Sequence, residues 1–318
     1  MNTMLNEIRD SGRPIVCSVS GGKDSTAMAL WLKEQGLHET NPLFFVFADT
    51  GWEHAELYTY IYDYLNERVF DGKLHTVKSK KYPGGMPELV EKRGMFPSRK
   101  IRLCTQELKI FPIRDFVREI REQYPDLEKP INAVGIRAAE SKARSTMLEF
   151  EPGTKLERGP RAATLCDTWR PLITWVVQDV VDIHTKNQVR PCPLYLRDEL
   201  PASRVGCWPC IMSRKEEIRA VAKTDPARIQ QIQALETLVA DKARERYAAK
   251  GETFESLGYS PPTFFQSREG DGSMWPIDDV VKWSYTKHGG KQYELFLPSK
   301  EERGCGMWGL CDMGPEEE

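Results

Sequence analysis

Ser20-Gly21-Gly22-Lys23-Asp24-Ser25-Thr26 follows an apolar run, Ile15–Val19, and opens a helical pattern, Ala27–Leu32. Strand, glycine turn and helix start are the parts of a phosphate cradle. The glycines let backbone approach an anion closely. The first N–H groups of the helix lack intrahelical partners and point at that anion. Lys23 adds a point charge, and the hydroxyls of Ser20, Ser25 and Thr26 add donors. The spacing is not Gly-x-x-x-x-Gly-Lys-Ser/Thr, so this is not a Walker loop. The plain alternative is an ordinary strand–helix turn capped by Asp24 or Ser25.

Two further polar stretches carry similar chemistry. Asp49-Thr50-Gly51-Trp52-Glu53 ends a second apolar run, Leu43–Ala48. Asp49 suits Mg²⁺, a ribose hydroxyl or the closing of a turn. Gly135-Ile136-Arg137 ends a third run, and Arg144 lies seven residues on; arginine suits bidentate phosphate contacts better than lysine. Glu140 reads as a partner for one of these arginines. Lys109 fits either a phosphate contact or a solvated helix face. The basic stretch 78–102 fits either guidance of an acidic substrate or a solvated surface loop.

Cys207-x-x-Cys210 has the spacing of two thiolates on one metal, or of a redox dithiol. Gly206 and Pro209 fit a tight turn around it. Eight cysteines in 318 residues, in a reducing compartment, point to metal or redox groups more than to structural disulfides. Cys17 lies inside the first apolar run and reads as a small buried hydrophobe, and Cys166 has no motif around it.

These residues need a frame. Strands are expected at Ile15–Val19, Leu43–Ala48, Leu74–Val77, Ile131–Val134 and Trp169–Ile173. Helices are expected at 1–14 (short), 25–35, 57–65, 106–124, 215–223 and 227–250, with 78–102 as a long loop. Alternating strands and helices imply a parallel sheet with right-handed crossovers. Ligands of such sheets bind at the carboxyl ends of the strands, where all three polar stretches fall. From about residue 215 the pattern changes to charged helices and then to a Gly-, Pro- and aromatic-rich tail, so a boundary is expected between 1–215 and 216–318.

A net charge of −2 argues against indiscriminate attraction to nucleic acid and leaves room for a local basic groove. No apolar run approaches the roughly 20 residues of a membrane span. The polar N-terminus lacks a signal-peptide core, so a cytoplasmic protein is expected.

Taken together, the chain resembles the phosphoadenosine phosphosulfate reductase family of adenine nucleotide α-hydrolases. Four motifs carry the resemblance across about residues 14–215: Ser20–Ser25, Asp49–Glu53, Arg102-Leu103-Cys104-Thr105-Gln106-Glu107-Leu108-Lys109 with Pro112, and Gly135–Ser141 with Arg144. Cys207-Trp208-Pro209-Cys210 supports them. The resemblance implies a Rossmann-like α/β fold, a parallel twisted sheet with helices on both faces, plus a smaller C-terminal region. It implies an adenine nucleotide, ATP or a sulfonucleotide, with Mg²⁺. The implied nucleotide contacts are Ser18, Ser20, Gly21, Gly22, Lys23, Asp24, Ser25, Thr26, Asp49, Thr50, Gly135, Arg137 and Arg144. Of these, Lys23, Asp24 and Arg137 are the implied catalytic groups.

Iron–sulfur members of the family carry a Cys-Cys pair where this chain has Cys104-Thr105. The implied 4Fe–4S ligands are therefore Cys104, Cys207, Cys210 and Cys305, with Cys311 or Cys192 as substitutes for the last and zinc as the rival metal. Some reductases carry Glu-Cys-Gly near the C-terminus, where this chain reads Arg303-Gly304-Cys305-Gly306. The missing glutamate turns the expectation toward ATP cleavage and sulfur transfer, as in the DNA-phosphorothioation and mobile-element members, with sulfonucleotide reduction as the alternative and a non-catalytic nucleotide-binding subunit of a complex as the second. Expected partners are a nucleic-acid substrate and a sulfur or electron donor such as a cysteine desulfurase.

Overall fold

Ile15–Val19 (β1) is flanked on both sides by parallel strands, Leu43–Ala48 (β2) and Ile131–Val134 (β4). The computed structural model describes residues 3–154, 165–197, 202, 204–266 and 274–286. Leu74–Val77 (β3) pairs parallel with β2, Cys166–Trp169 (β6) pairs parallel with β4, and Phe150–Thr154 (β5) closes the edge antiparallel to β6. The six strands run in the order β3-β2-β1-β4-β6-β5. Chain direction across the sheet therefore reverses between β1 and β4, which is where such sheets bind ligands. β1 is buried on both faces, which explains its unbroken apolar character.

Helices cover both faces. Lys23–Glu34 (α2), preceded by Thr3–Ser11 (α1), packs its apolar side with Ile15, Cys17, Phe45 and Phe47. The following helix starts at Ala55–Thr59 (α3) and continues as a π-helical stretch, Tyr60–Leu65, on that same core. Phe111–Gln123 (α5) lays Phe116, Val117 and Ile120 on Val16 and Val46, which face the other way. A second core joins Trp52, Met86, Leu89, Phe96, Leu108 and Trp208 to apolar residues of Lys215–Thr224 (α7), Pro226–Ala248 (α8) and Ile277–Ser284 (α9).

Three sequence expectations are corrected. The strand expected at Trp169–Ile173 runs instead over Cys166–Trp169, and Pro171 follows its end. The reason is Asp167 and Thr168, polar residues that are nonetheless buried in the sheet. β5 was not expected at all. It carries Pro152 and Gly153, which an edge strand tolerates. The stretch 78–102 is not one long loop: Gly85–Arg93 (α4) forms within it, buries Met86, Leu89 and Val90, and stops at Gly94 in the left-handed region, φ +56. A further unanticipated helix, Val177–Lys186 (α6), packs beside α2 and leads to a short 3₁₀ turn, Pro193–Tyr195.

The cysteines of the sheet behave as small apolar groups. Cys17 is fully buried, and burial pushes its thiol far above the ordinary range. Burial likewise pushes the Cys166 thiol up to about 12.

Asp167 holds the N-terminal end of the sheet together. Its Oδ2 accepts from Arg13 Nη2 at 2.5 Å, and its Oδ1 pairs with Lys129 Nζ at 2.8 Å. Burial alone would push this carboxyl up, but the hydrogen bonds from Lys129, the Gly153 N–H and Arg13 outweigh it and hold it below the usual carboxylate range. Asp167→Asn leaves the buried Arg13 with only the exposed Glu128 carboxylate, 3.7 Å away, and should cost roughly 3 kcal/mol in urea denaturation at pH 7. A depressed carboxyl pKa contributes stability above the unfolded value and loses it as pH falls through the folded one. The gap between wild type and variant should therefore close in acid.

Candidate functional site

The turn after β1 owes its shape to two glycines. Gly21 has φ +67, and a Cβ there would meet Ile61 and Leu57 side-chain carbons at 2.6 Å. Gly22 is the N-cap of α2 in extended backbone, with no side-chain cap. Neither Asp24 nor Ser25, the capping residues of the plain alternative, stands at the N-cap. Ser25 Oγ accepts from the Ser20 N–H at 3.1 Å and donates to the Gly22 carbonyl at 3.0 Å, so it braces the turn across its mouth. Thr26 is buried, and its N–H bonds the Gly22 carbonyl. Ser18 Oγ donates sideways to Asn132 Oδ1 at 3.1 Å. The amides of Asp24 and Ser25 find no acceptor among the described residues. Two donors of the first helical turn are therefore left to an anion or to water.

The loop after β4 is pressed onto this turn. A Cβ on Gly135 would lie 2.8 Å from the Asp24 carbonyl and from Ser25 Cα. That contact brings Arg137, which is buried, onto Asp24: its Nε donates to Asp24 Oδ1. Lys23 Nζ stands 3.7 Å from Asp24 Oδ2. One carboxylate thus holds two cations beside two unclaimed amides. Glu140 is an arginine partner, as its sequence position suggested. It accepts from the Arg137 N–H at 2.9 Å and pairs with Arg144.

The loop after β2 is closed by its own carboxylates. Asp49 Oδ1 accepts from the Gly51 N–H at 2.8 Å and from the Tyr58 hydroxyl at 2.6 Å, while Oδ2 pairs with Lys78 at 2.9 Å. Burial would raise the Asp49 carboxyl, but Tyr58, Lys78 and Gly51 hold it below the usual range. Glu53 accepts from Thr50 Oγ1 at 2.6 Å and from the Thr50 and Trp52 N–H groups. Tyr58 stands between the two carboxylates, 2.9 Å from Glu53 Oε2.

This loop is zipped to the Cys-x-x-Cys turn. Glu53 and Cys207 form an antiparallel bridge, the Trp208 N–H donates to the Trp52 carbonyl, and Trp52 Nε1 donates to the Pro209 carbonyl at 3.0 Å. Cys104 joins from the start of the helical stretch 103–123. Burial raises its thiol, and Cys210 adds to the rise. Burial pushes the Cys207 thiol up to about 11, opposed by Lys109 and reinforced by Glu53, Cys210 and Cys104. Lys109 is half-buried near these thiols, and Cys207 foremost, with Glu53, Cys210 and Cys104, holds its ammonium above the usual range. Cys104, Cys207 and Cys210 lie near enough for their charges to act on one another. Cys192 is elsewhere, buried in the core of the nucleotide-type sheet. Cys305 and Cys311 lie outside the described residues. Among the described residues no three His, Cys, Asp or Glu side chains converge to hold a metal ion.

Sequence reasoning missed Tyr58, Lys78, His184 and Tyr195. Tyr58 and His184 sit on helices, where an aromatic or a lone histidine reads as core. His184 Nε2 lies 3.0 Å from the Lys23 carbonyl, and the Tyr195 hydroxyl accepts from the Lys23 N–H at 3.4 Å. Among the described residues no helix is long and apolar enough to cross a membrane.

The sequence profile of the phosphoadenosine phosphosulfate reductase domain matches residues 14–213. An uncharacterised 37.8 kDa protein of Escherichia phage 186, encoded in the gpa 5′ region, is 28% identical over 344 aligned positions, covering 93% of this chain and 96% of the phage protein. Solved structures of similar shape include the phosphoadenylyl-sulfate reductase of Candida auris in a phosphate complex (16% identity, TM-score 0.42, 66% of this chain and 97% of that one). The U34-tRNA thiolase NcsA of Methanococcus maripaludis with its 4Fe–4S cluster aligns at 15% identity and TM-score 0.38, covering 76% of each chain.

The close approach at Gly135 yields a test. Gly135→Ala puts a methyl against α2 backbone that has no room to yield, and overpacking of this kind costs about 1–3 kcal/mol. The expected result is a lower thermal midpoint; an unchanged midpoint would mean the two loops are not in contact.

Proposed function

The chain belongs to the phosphoadenosine phosphosulfate reductase family, and we propose that it is an ATP pyrophosphatase that adenylylates an acceptor for sulfur transfer. The observation that carries this reading is the turn at the β1/β4 reversal, with two open amides and two cations gathered on Asp24. Attack on the α phosphorus forms a bond to the acceptor oxygen and breaks the α–β bridge. The electron pair leaves with pyrophosphate. Negative charge then grows on the leaving group, where the Asp24 and Ser25 amides and Lys23 would receive it. Arg137 would serve the α phosphate from the adjoining loop. Fixed donors of this kind act by placement and need no reorganisation during the step.

Mg²⁺ would ride chiefly on the nucleotide phosphates, neutralising their charge. The protein carboxylates offered for it are already engaged: Asp24 by Arg137 and Lys23, and Asp49 by Lys78 and Tyr58. Serving as a metal ligand would require Asp49 to release Lys78.

We keep the thiol group as a metal site in the same reading, with Cys104, Cys207 and Cys210 as ligands and Cys305 as the fourth. What supports it is their common exposure to one another around Lys109. As the three do not themselves converge, no step is routed through a cluster. The acceptor in this reading is a nucleic acid, as in the phosphorothioation and mobile-element members, with a cysteine desulfurase or similar sulfur donor acting in the cytoplasm. The missing Glu before Cys305 is what favours it over sulfonucleotide reduction.

Purified protein with ATP and Mg²⁺, with and without DNA or RNA, should release AMP and pyrophosphate. Release of ADP and orthophosphate, or sulfite from a sulfonucleotide with thioredoxin, would replace this function with another. Lys23→Ala should lower turnover by about 100-fold, the usual effect of removing one placed charge donor. Anaerobic purification should give iron and sulfide in proportion, and Cys207→Ser should lose both; zinc in their place would leave a structural site, and metal-free protein a dithiol.

A further inference from the structure

Residue Lys23 is held on three sides by a segment that contributes none of the sequence motifs. His184, near the end of α6, is almost wholly buried. Its Nε2 lies 3.0 Å from the Lys23 carbonyl and its Nδ1 lies 3.0 Å from the Val189 carbonyl. Tyr195, also buried, accepts from the Lys23 N–H with its hydroxyl at 3.4 Å. The same oxygen is hydrogen-bonded by backbone at Val205, two residues before Cys207. The Tyr195 ring lies under the Lys23 ammonium, 5.2 Å from centroid to Nζ. The N–H, the carbonyl and the side chain of one loop residue are thus each met by the stretch 184–195.

We propose that His184 and Tyr195 are positioning residues of the phosphate loop: they fix the Lys23 peptide and aim its ammonium, without touching the nucleotide. The proposal rests on the functional reading above for what Lys23 does, and on the hydrogen bonds alone for what holds it.

Lys23 begins α2, where backbone groups are otherwise unpaired and the chain is free to fray. Its N–H would be a third open donor beside those of Asp24 and Ser25. Tyr195 claims it, which leaves two amides for the anion and sets the direction in which they point. The carbonyl of Lys23 accepts within α2, and His184, in the tautomer with its proton on Nε2, uses its second lone pair. A neutral imidazole carries one N–H, so it donates to one of its two carbonyl neighbours, and the tautomer decides which. Asp24 and Lys23 are the charged groups that face the ring. The tyrosine ring beneath the ammonium limits where Nζ can swing, with a cation–π attraction as the restraint.

A positioned charge acts most in the transition state, where charge has moved to the leaving group. Loosening Lys23 should therefore lower kcat more than it changes KM for ATP. Tyr195→Phe keeps the ring and removes the acceptor, and His184→Leu removes the donor at similar volume. Each should lower kcat about tenfold or more, a size set by loss of a single hydrogen bond to a catalytic element, with KM moving less than about threefold. His184→Gln, which can donate an amide N–H to the same carbonyl, should recover most of the loss. A partly misfolded protein would also lower apparent kcat at unchanged KM, so each kcat is referred to folded protein measured by circular dichroism and thermal midpoint.

The second measurement needs no turnover. Amide hydrogen exchange followed by NMR on the full chain should show the Lys23 N–H exchanging at least about tenfold faster in Tyr195→Phe than in wild type, since the bond protecting it is gone. Unchanged exchange at Lys23 would overturn the proposal whether or not ATP is cleaved. Faster exchange with kcat and KM both unchanged would overturn the catalytic part. If wild type releases no AMP and pyrophosphate from ATP, the functional reading fails, and the exchange result still decides whether Tyr195 holds the loop.

Discussion

A carboxylate stands where this fold concentrates positive charge. Asp24, in the first turn of α2, takes the guanidinium of Arg137 and faces the ammonium of Lys23. The pair joins residues 113 apart in sequence and ties the loop after β1 to the loop after β4. Without a counter-charge, two cations side by side at a helix N-terminus would repel each other and the helix dipole. Asp24 makes their approach tolerable. Gly135 is the steric condition for this pairing, because any side chain there would force the loops apart. The ion pair and the glycine contact are two parts of a single constraint.

Much of this was legible in the sequence, and the reason is local. β1 and β2 announce themselves as short apolar runs, because central parallel strands are buried on both faces, whereas β3 and β4 carry polar residues and are only partly buried. Cys166–Trp169 did not, since Asp167 and Thr168 look like surface residues until Arg13 and Lys129 are brought against them. Similarly, α4 has only Met86, Leu89 and Val90 to mark it among charged neighbours, and the second core that buries them is assembled from residues near 208–280. The glycines and polar residues of the motifs were readable by type. Their pairings were not: nothing in the spacing says that Asp24 meets Arg137, that Ser25 braces Ser20, or that Lys109 turns to thiols.

The groups that reasoning missed share a feature. Tyr58, His184 and Tyr195 are large, partly apolar side chains whose bodies fill the core while one polar atom reaches a functional loop. Their hydrophobic surface places them correctly and conceals the polar tip. Tyr58 bonds Asp49 and Glu53, and Tyr195 bonds the Lys23 N–H. In both cases the core delivers a hydroxyl to the sheet edge, so packing and site geometry are set by one side chain.

Glu53 carries this logic across to the cysteines. Its side chain collects the Thr50 hydroxyl, two backbone amides and the Tyr58 hydroxyl, while its backbone bridges to Cys207. Arg228 of α8 secures the outer side, stacking over Trp52 at 4.3 Å and donating to the Glu53 carbonyl. The loop after β2 therefore cannot shift without moving the Cys-x-x-Cys turn, and the turn cannot shift without moving Asp49. Backbone pairing of this kind transmits displacement more directly than side-chain contact, because the bonds leave little slack. The same turn is reached from the phosphate loop by a second path, Lys23 to Tyr195 to Val205. Two separate lines of hydrogen bonds thus run from the sheet edge to the thiols. The turn after β1 and the Cys-x-x-Cys turn are therefore not free to shift independently.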